Sequence, residues 1–485
     1  MPKLARLAFV APFALSCLVA AGPLGCTAEA QGEEAESSEE SLTGKCEAPT
    51  SVAPGRPQVY FAPFDRPEDE VLCLLDTARS EVVIAHYNIR REKVIAKLVE
   101  LSRRGVTVKV AVDQDNAKQS YNIGDDAIEA AGIKIVRVSP PGSTSLMHLK
   151  AAVIDGTTTL TGSFNWNETA ALVNDENMVV FRDPEVAKKY RDQILEVIGE
   201  KPKTVDGGVV LPGLELHFSP EEKLDPVIVR AIDGARASVD IAMYTYTMPN
   251  VMDAAVRAQR RGVRVRLVVE KKQAGLSRGD EQLETAGGLV VRAANKLGLY
   301  SAMHHKYAVI DDKRVLTGAS NWTKNGTQQS DEDLLVIDDR PELARKFRQN
   351  FADLLSYYAS RDVTGDDATL KRPLSPVVFH VVNDKTSLGD EVRVVGSDPR
   401  LGAWDTTKSV RAETAQDLFP NWAAPTDLTA GARVEYKFIV KKASGAIEWE
   451  PGPNRVVTVP TTGRALVLEG LAGDTSQNWT PATPR

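Results

Sequence analysis

His148-Leu149-Lys150-Ala151-Ala152-Val153-Ile154-Asp155 and His304-His305-Lys306-Tyr307-Ala308-Val309-Ile310-Asp311 share one pattern, a histidine with lysine two residues on and aspartate seven residues on. The chain has only six histidines, and this spacing follows a given histidine by chance roughly once in several hundred tries at ordinary composition. Two hits mark a repeat. Each has the same tail, Gly162-Ser163-Phe164-Asn165-Trp166 followed by Glu176, and Gly318-Ala319-Ser320-Asn321-Trp322 followed by Glu332. Upstream, Val82-Val83-Ile84-Ala85-His86-Tyr87 recurs as Val239-Asp240-Ile241-Ala242-Met243-Tyr244, and Arg103-Arg104-Gly105-Val106 recurs as Arg260-Arg261-Gly262-Val263. The offset is 157 residues there and 156 for the motif histidines. One unit has been duplicated.

Within the first copy, a β-branched run precedes an amphipathic stretch with Val94, Ile95, Leu98 and Val99. Gly105 then ends a helix and Val106, Val108, Val110 and Val112 alternate, which predicts strand, helix, strand. That is a βαβ unit with a parallel sheet. Residues 151–154 before Asp155 and 159–161 after it predict another strand and turn, which place His148 and Lys150 on one face by the period of two. His304 and Lys306 repeat the arrangement. Pro202, Gly207, Gly208, Pro212 and Gly213 mark the connector between copies, and Gly365, Pro373 and Pro376 end the helical pattern of 343–358.

These motifs resemble the phospholipase D superfamily, whose members combine two such half-sites into one active site. Hydrolysis of a phosphodiester needs a nucleophile, a proton for the leaving alkoxide and positive charge around the phosphoryl oxygens. An imidazole near its ordinary pKa attacks as a neutral base while its protonated twin donates to the leaving oxygen. The resemblance implies a covalent phosphohistidine. It gives His148 as nucleophile and His304 as general acid, roles that the symmetry of the sequence leaves interchangeable. Lys150 and Lys306 are expected to clamp the phosphate, with Asn165 and Asn321 donating amide hydrogen bonds. Glu176 and Glu332 match the family's carboxylates that fix the histidine tautomer. Asp155 and Asp311 are expected to hold the strand and turn. No cofactor and no metal is implied, because the lysines bring the charge a divalent ion would bring; a metal pair at His304-His305 is disfavoured, since strand neighbours face opposite ways. His86 has no motif support, and Trp166 and Trp322 fit site walls or core.

The 485 residues suggest about three domains, and the composition is that of a globular protein. A net charge of −7 gives no electrostatic reason for general affinity to a polyanion. At the N-terminus, Lys3 and Arg6 precede an apolar run of residues 7–21 and then Pro23-Leu24-Gly25-Cys26, the order of an export signal over residues 1–26. Small residues before Cys26 look like a bacterial lipoprotein signal, which implies lipidation at Cys26, a membrane anchor and location in the cell envelope; plain secretion is the alternative. Residues 27–57 read as a polar, acidic tether. Cys46 and Cys73 either form one disulfide in an oxidising compartment, or Cys73 is a buried thiol on a helix face.

The two phospholipase D-like halves are placed at 58–203 and 204–362, as a single monomeric catalytic unit. From residue 377 short alternating strands take over, with Val394-Val395-Gly396-Ser397, Leu401-Gly402-Ala403-Trp404, Glu435-Tyr436-Lys437-Phe438-Ile439, Ile447-Glu448-Trp449-Glu450 and Pro453-Asn454-Arg455. Residues 375–481 resemble the starch-binding domain, carbohydrate-binding module family 20. That resemblance implies an all-β, immunoglobulin-like sandwich that binds starch- or glycogen-type α-glucan. It also implies Trp404 and Trp449 as a stacking pair, with Lys437 and Asn454 as hydrogen-bonding partners. Where the family commonly has aromatics for a second sugar site, this chain has Leu388 and Ala415, leaving Trp422, so one sugar site is expected.

The fold class expected is thus α/β, two pseudo-symmetric halves with mixed or parallel sheets, plus the β-sandwich. The expected activity is cleavage of glycerophospholipid head groups. The rivals are a phosphodiesterase acting on nucleic acid, which calls for a basic channel, and a non-catalytic surface protein whose working part is the glucan module. Intact motif pairs argue against the latter.

Overall fold

The computed structural model describes residues 56–119, 122, 124–203, 208–294, 301–359, 374–415, 418–461 and 466–471. The expected signal, Cys26 and residues 27–55 of the expected tether lie outside these residues. Half 1 is a seven-stranded sheet in the order Gln58–Ala62, Glu176–Arg182, Thr158–Gly162, Lys150–Ile154, Glu81–His86, Thr107–Asp113, Ile135–Val138. Half 2 is an eight-stranded sheet, Leu289–Ala293, Arg264–Glu270, Ser238–Met243, Lys306–Ile310, Arg314–Thr317, Glu332–Ile337, Leu214–Ser219, Val209–Leu211.

The βαβ portion of each half is parallel, Glu81–His86 with Thr107–Asp113 and Ser238–Met243 with Arg264–Glu270. The motif strands run antiparallel to it, so each sheet is mixed. A tight hairpin then returns each motif strand to a second antiparallel neighbour. After Ile154 the chain turns back through Asp155 (φ 48°) and Gly156 (φ 62°), and after Ile310 through Asp311 (φ 51°) and Asp312 (φ 58°). Two successive left-handed residues make the tight hairpin whose twist suits antiparallel strands. Aspartate and glycine tolerate that conformation; a β-branched residue would not.

The helix Glu92–Arg103 buries Val94, Leu98 and Leu101, an apolar stripe at helical spacing. It packs with Val71, Leu74 and Leu75 of the helix Pro67–Asp76 on the outer face of sheet 1. Helices Asp225–Asp233 and Pro249–Arg260 cover the outer face of sheet 2 in the same way. Between the sheets lie the long helices Pro184–Ile198 and Pro341–Ala359. Tyr190, Ile194, Phe347 and Phe351 on these helices share one core with Val83, Ala151 and Val153 of sheet 1 and Val268, Val309 and Leu335 of sheet 2. This shared core holds the two halves in one register.

The C-terminal module is all β, a three-stranded sheet facing a second sheet built on Glu391–Gly396 and Arg433–Lys441. Phe379, Trp422, Tyr436 and Phe438 fill the space between them. One flank of the module, through Val378, Leu418 and Ala423, belongs to the outer core of half 1. There Arg91 Nη2 donates to Glu413 Oε2 at 2.7 Å while Arg91 also pairs with Glu68. Cys73, on the helix Pro67–Asp76, is disulfide-bonded, and its partner lies outside the described residues. Of the two alternatives for Cys73, the free thiol is therefore set aside.

Candidate active site

The segment before each motif histidine is paired, strand-like, with the segment before the glutamate of the other half. Met147 bridges Asp331 and Met303 bridges Asp175, in parallel. The His148 N–H donates to the Asp331 carbonyl and the His304 N–H to the Asp175 carbonyl, both at 2.9 Å. This exchange brings Glu332 Oε1 to 2.8 Å from His148 Nδ1, and Glu176 Oε1 to 2.8 Å from His304 Nδ1. Each half-site histidine is held by the carboxylate of its opposite half. An acceptor at Nδ1 fixes the tautomer with Nε2 free for chemistry.

Asp113 Oδ2 accepts the Met147 N–H at 3.0 Å, and Glu270 Oε2 accepts the Met303 N–H at 2.9 Å. The same carboxylates cap the short helices that follow their strands. Each thereby ties the end of a parallel strand to the residue preceding a motif histidine. Sequence reasoning missed this pair, although Asp113 and Glu270 stand at the repeat offset. It also gave no role to Tyr87 and Tyr244, whose rings meet His148 and His304 edge-on at 4.9 and 4.5 Å. Lys150 Nζ lies 5.2 Å from the Tyr87 ring and Lys306 Nζ 5.3 Å from that of Tyr244, within cation–π range.

Lys150 and Lys306 are buried, each donating at 2.7 Å to the carbonyl of its own motif histidine. Lys306 Nζ in addition lies 3.1 Å from His304 Nε2. Asn165 and Asn321 each keep a buried Oδ1 without a hydrogen-bond partner, and so do Glu176 and Glu332 at Oε2. Unpartnered buried polar atoms in pairs related by the repeat are what a ligand-binding cleft leaves behind. Asp155 accepts the backbone N–H groups of Arg79, Ser80 and Glu81 at 2.8 to 3.0 Å, and Asp311 those of Arg236, Ala237 and Ser238 at 2.7 to 3.0 Å. Both hold the hairpin turn against the start of a parallel strand, far from the imidazole face.

The expectation of an imidazole near its ordinary pKa is corrected. Burial, with Lys150 and Lys306 adding to it, holds His148 well below that value. Burial also lowers His304 to about 4, Glu176 opposing and Lys306 reinforcing the shift. The lysines move the same way. Burial brings Lys150 down to about 8 against the pull of Glu332, and Lys306 to about 7 against that of Glu176. Burial pushes Glu332 up, with the two lysines opposing. Low polarizability penalises every isolated charge here.

His305 turns to the far side of its strand, with Nδ1 3.3 Å from Asn177 Oδ1 and its ring against Phe61 and Tyr307, so it does not converge with His304. His86 is buried against the Trp166 ring at 4.5 Å. Trp166 and Trp322 are core residues.

In the module, Gly402, Ala403 and Trp404 are successively left-handed, with φ 82°, 48° and 71°. Strain of this kind in non-glycine residues is held by the surrounding structure and marks working surfaces. Trp404 is half-buried, and Trp449 is 47% exposed. Asn454 is exposed and donates to Glu435 at 3.1 Å. Lys437 is buried, donating to the carbonyls of Glu450 and Gly452 at 2.8 and 2.6 Å. It shapes the loop between Trp449 and Asn454, which leaves it one further N–H. Leu388 is fully exposed, Ala415 packs against half 1, and Trp422 is buried with its N–H on the Asn383 carbonyl at 3.2 Å.

Comparison with known proteins agrees with this architecture. The model of the family described as "Cardiolipin synthase, PLD-like domain" matches twice, at residues 71–198 and 228–355, and that of the starch binding domain matches 374–467. The mitochondrial cardiolipin hydrolase of Canis lupus familiaris is 33% identical over 124 residues, 26% of this chain and 47% of that protein. The chain spans about half the length of the curated relatives of this kind that it matches. The AA13 family lytic polysaccharide monooxygenase A of Aspergillus terreus is 43% identical over 97 residues, 19% of this chain and 24% of that protein. The solved phosphatidylserine synthase of Haemophilus influenzae superposes with a TM-score of 0.51 at 14% identity, covering 63% of this chain and 89% of that one; the likeness is one of fold. The PLD-like model accounts for more than half of the sequence, and the chain belongs to that phospholipase D-like family, with a starch-binding domain behind its two repeats.

Proposed function

We propose that the protein is an exported phosphodiesterase that cleaves glycerophospholipid head groups while its module holds α-glucan. The observation that carries the reading is the crosswise pairing of His148 with Glu332 and His304 with Glu176 beside two buried lysines. His148 Nε2 attacks phosphorus as the P–O bond to the alcohol breaks, and His304 gives that oxygen its proton. Water then attacks the phosphohistidine, loses its proton to His304, and the P–N bond breaks. Lys150 and Lys306 hold the phosphoryl oxygens, with the side-chain amides of Asn165 and Asn321 beside them. Identity to proteins named cardiolipin hydrolase favours lipid over nucleic acid, and the net charge of −7 points the same way.

Both half-sites come from one chain, which supports a monomeric catalytic unit. The disulfide at Cys73 supports export, with lipidation at Cys26 as the anchor. The test is a substrate panel of phosphatidylcholine, cardiolipin and single-stranded DNA on the chain beginning at Thr27. Turnover of a phospholipid above the DNA supports the proposal; preference for DNA overturns the lipid assignment, and turnover of none overturns the phosphodiesterase.

A further inference from the structure

The charged groups of the cleft balance in one way. Glu332 faces His148 and Glu176 faces His304, while the ammonium groups of Lys150 and Lys306 stand two residues from each histidine. The phenols of Tyr87 and Tyr244 close the rings' edges. His86, Asp113, Asp333 and Glu270 act at longer range. Two carboxylates and two ammonium groups cancel when both imidazoles are neutral. Burial makes net charge costly, which favours a set of zero net charge at rest. A phosphodiester monoanion then adds one uncompensated negative charge to the same buried space.

The two halves are not equally able to answer it. Lys306 Nζ lies 3.1 Å from Nε2 and 3.2 Å from Nδ1 of His304. Near-equal distances to both nitrogens put the ammonium over the ring rather than in line with either lone pair. In half 1 the hydrogen bond of Lys150 within its motif goes to the His148 carbonyl. Two basic groups in such contact titrate as one unit, and the single carboxylate of Glu176 beside His304 balances only one of their two charges.

We propose that anion binding and proton uptake are one event in this cleft: the phosphodiester draws one proton onto the His304–Lys306 pair, and so arms its own general acid. The inference rests on the phosphodiesterase reading for its ligand. The proton resides on His304 Nε2, passes to the leaving alkoxide as the P–O bond breaks, and is restored by the water of the second step. The empty site accordingly stores no acid. Burial lowers His304 to about 4, which leaves its imidazole neutral and able to take a proton at neutral pH.

Titration calorimetry of the full chain with dimethyl phosphate, a diester that stays a monoanion, in two buffers of different ionisation enthalpy reads the coupling. The wild type is expected to take up about one proton per anion near neutral pH. His304→Gln, which removes the imidazole that holds the proton, is expected to take up almost none, and Lys150→Arg, which keeps the charge of half 1, to retain the uptake. Binding without uptake in the wild type overturns the inference.

A second measurement needs no variant. kcat/KM reports the free enzyme and kcat the complex, so kcat/KM is expected to fall about tenfold per pH unit through the neutral range while kcat stays flat. A flat kcat/KM overturns the inference. Proton uptake with the anion but no turnover of any diester overturns the phosphodiesterase reading and leaves the coupling standing; turnover without uptake does the reverse.

Discussion

Half 1 and half 2 keep the same strands, hairpin and motif, and they differ where one copy of a group serves both. At the seam, Asn177 donates to Thr317 at 2.8 Å, whereas Asp333, its counterpart, accepts from Thr161 and from Tyr190, the latter at 2.6 Å. His86 of half 1 corresponds to Met243, and Leu149 to His305. Asp280 of half 2 accepts from Arg292 at 2.7 Å, while its counterpart Asp125 is buried with both oxygens unpartnered, Arg137 being engaged by Glu129 at 2.7 Å. Duplication preserved what the chemistry needs twice, the His, Lys and Glu of each half, and let the supporting polar groups drift.

That comparison breaks most sharply at the histidines. Changing either His148 or His304 to Ala is expected to lower kcat by at least about 10³-fold, and the double change to cost little more, because the two act as one unit. Additive losses in a steady-state assay would mean two independent sites.

The crosswise carboxylates come next. Glu332→Gln and Glu176→Gln are each expected to cost roughly 10- to 100-fold. In double-mutant cycles Glu332 should couple to His148 more strongly than to His304, and Glu176 the reverse. Coupling within each half instead would contradict the exchange of segments at Met147–Asp331 and Asp175–Met303.

In the module, Trp404→Ala or Trp449→Ala is expected to weaken binding of a malto-oligosaccharide by about ten-fold or more, from roughly 1–3 kcal/mol per stacked aromatic. Trp422→Ala acts through stability, since that indole is in the core. Calorimetry giving two sugars per module, or normal stability for Trp422→Ala, would refute this division.

The smallest effect separates the unpaired Asp125 from the paired Asp280. Burial raises Asp125 to about 6, Arg137 opposing. Its folded pKa lies above the unfolded one, so its contribution is full below about pH 4 and is lost as pH rises through about 6. Asp125→Asn should therefore match the wild type at pH 4 and be more stable by roughly 1–3 kcal/mol at pH 7. A stability difference that does not change with pH would show that Asp125 is not the titrating group.

Much of this was legible in the sequence. The spaced His, Lys, Asp, Asn and Glu of each copy announced the repeat and the family. Alternating valines gave the parallel strands, and the Asp155 and Asp311 turns gave the hairpins. The crosswise exchange was not legible, because equal motifs fit His148–Glu176 as well as His148–Glu332. Choosing between them requires the parallel pairing of 147 with 331 and 175 with 303, contacts far apart in sequence. The displaced imidazole pKa values were hidden for a similar reason, since burial belongs to the assembled halves and not to either motif. The resemblance implied Lys437 as a sugar partner but not its two hydrogen bonds to the carbonyls of Glu450 and Gly452, which come from its register opposite that loop.

In the proposed reaction one chain builds one site from two unequal halves, with His148 attacking and His304 donating. The most direct test is mass spectrometry of His304→Ala protein quenched during turnover of an aryl phosphodiester, whose leaving group needs no acid. The account predicts a phosphoryl adduct on His148 and none in the His148→Ala variant. An adduct on another residue, or unimpaired hydrolysis of an alkyl ester by His304→Ala protein, would contradict it.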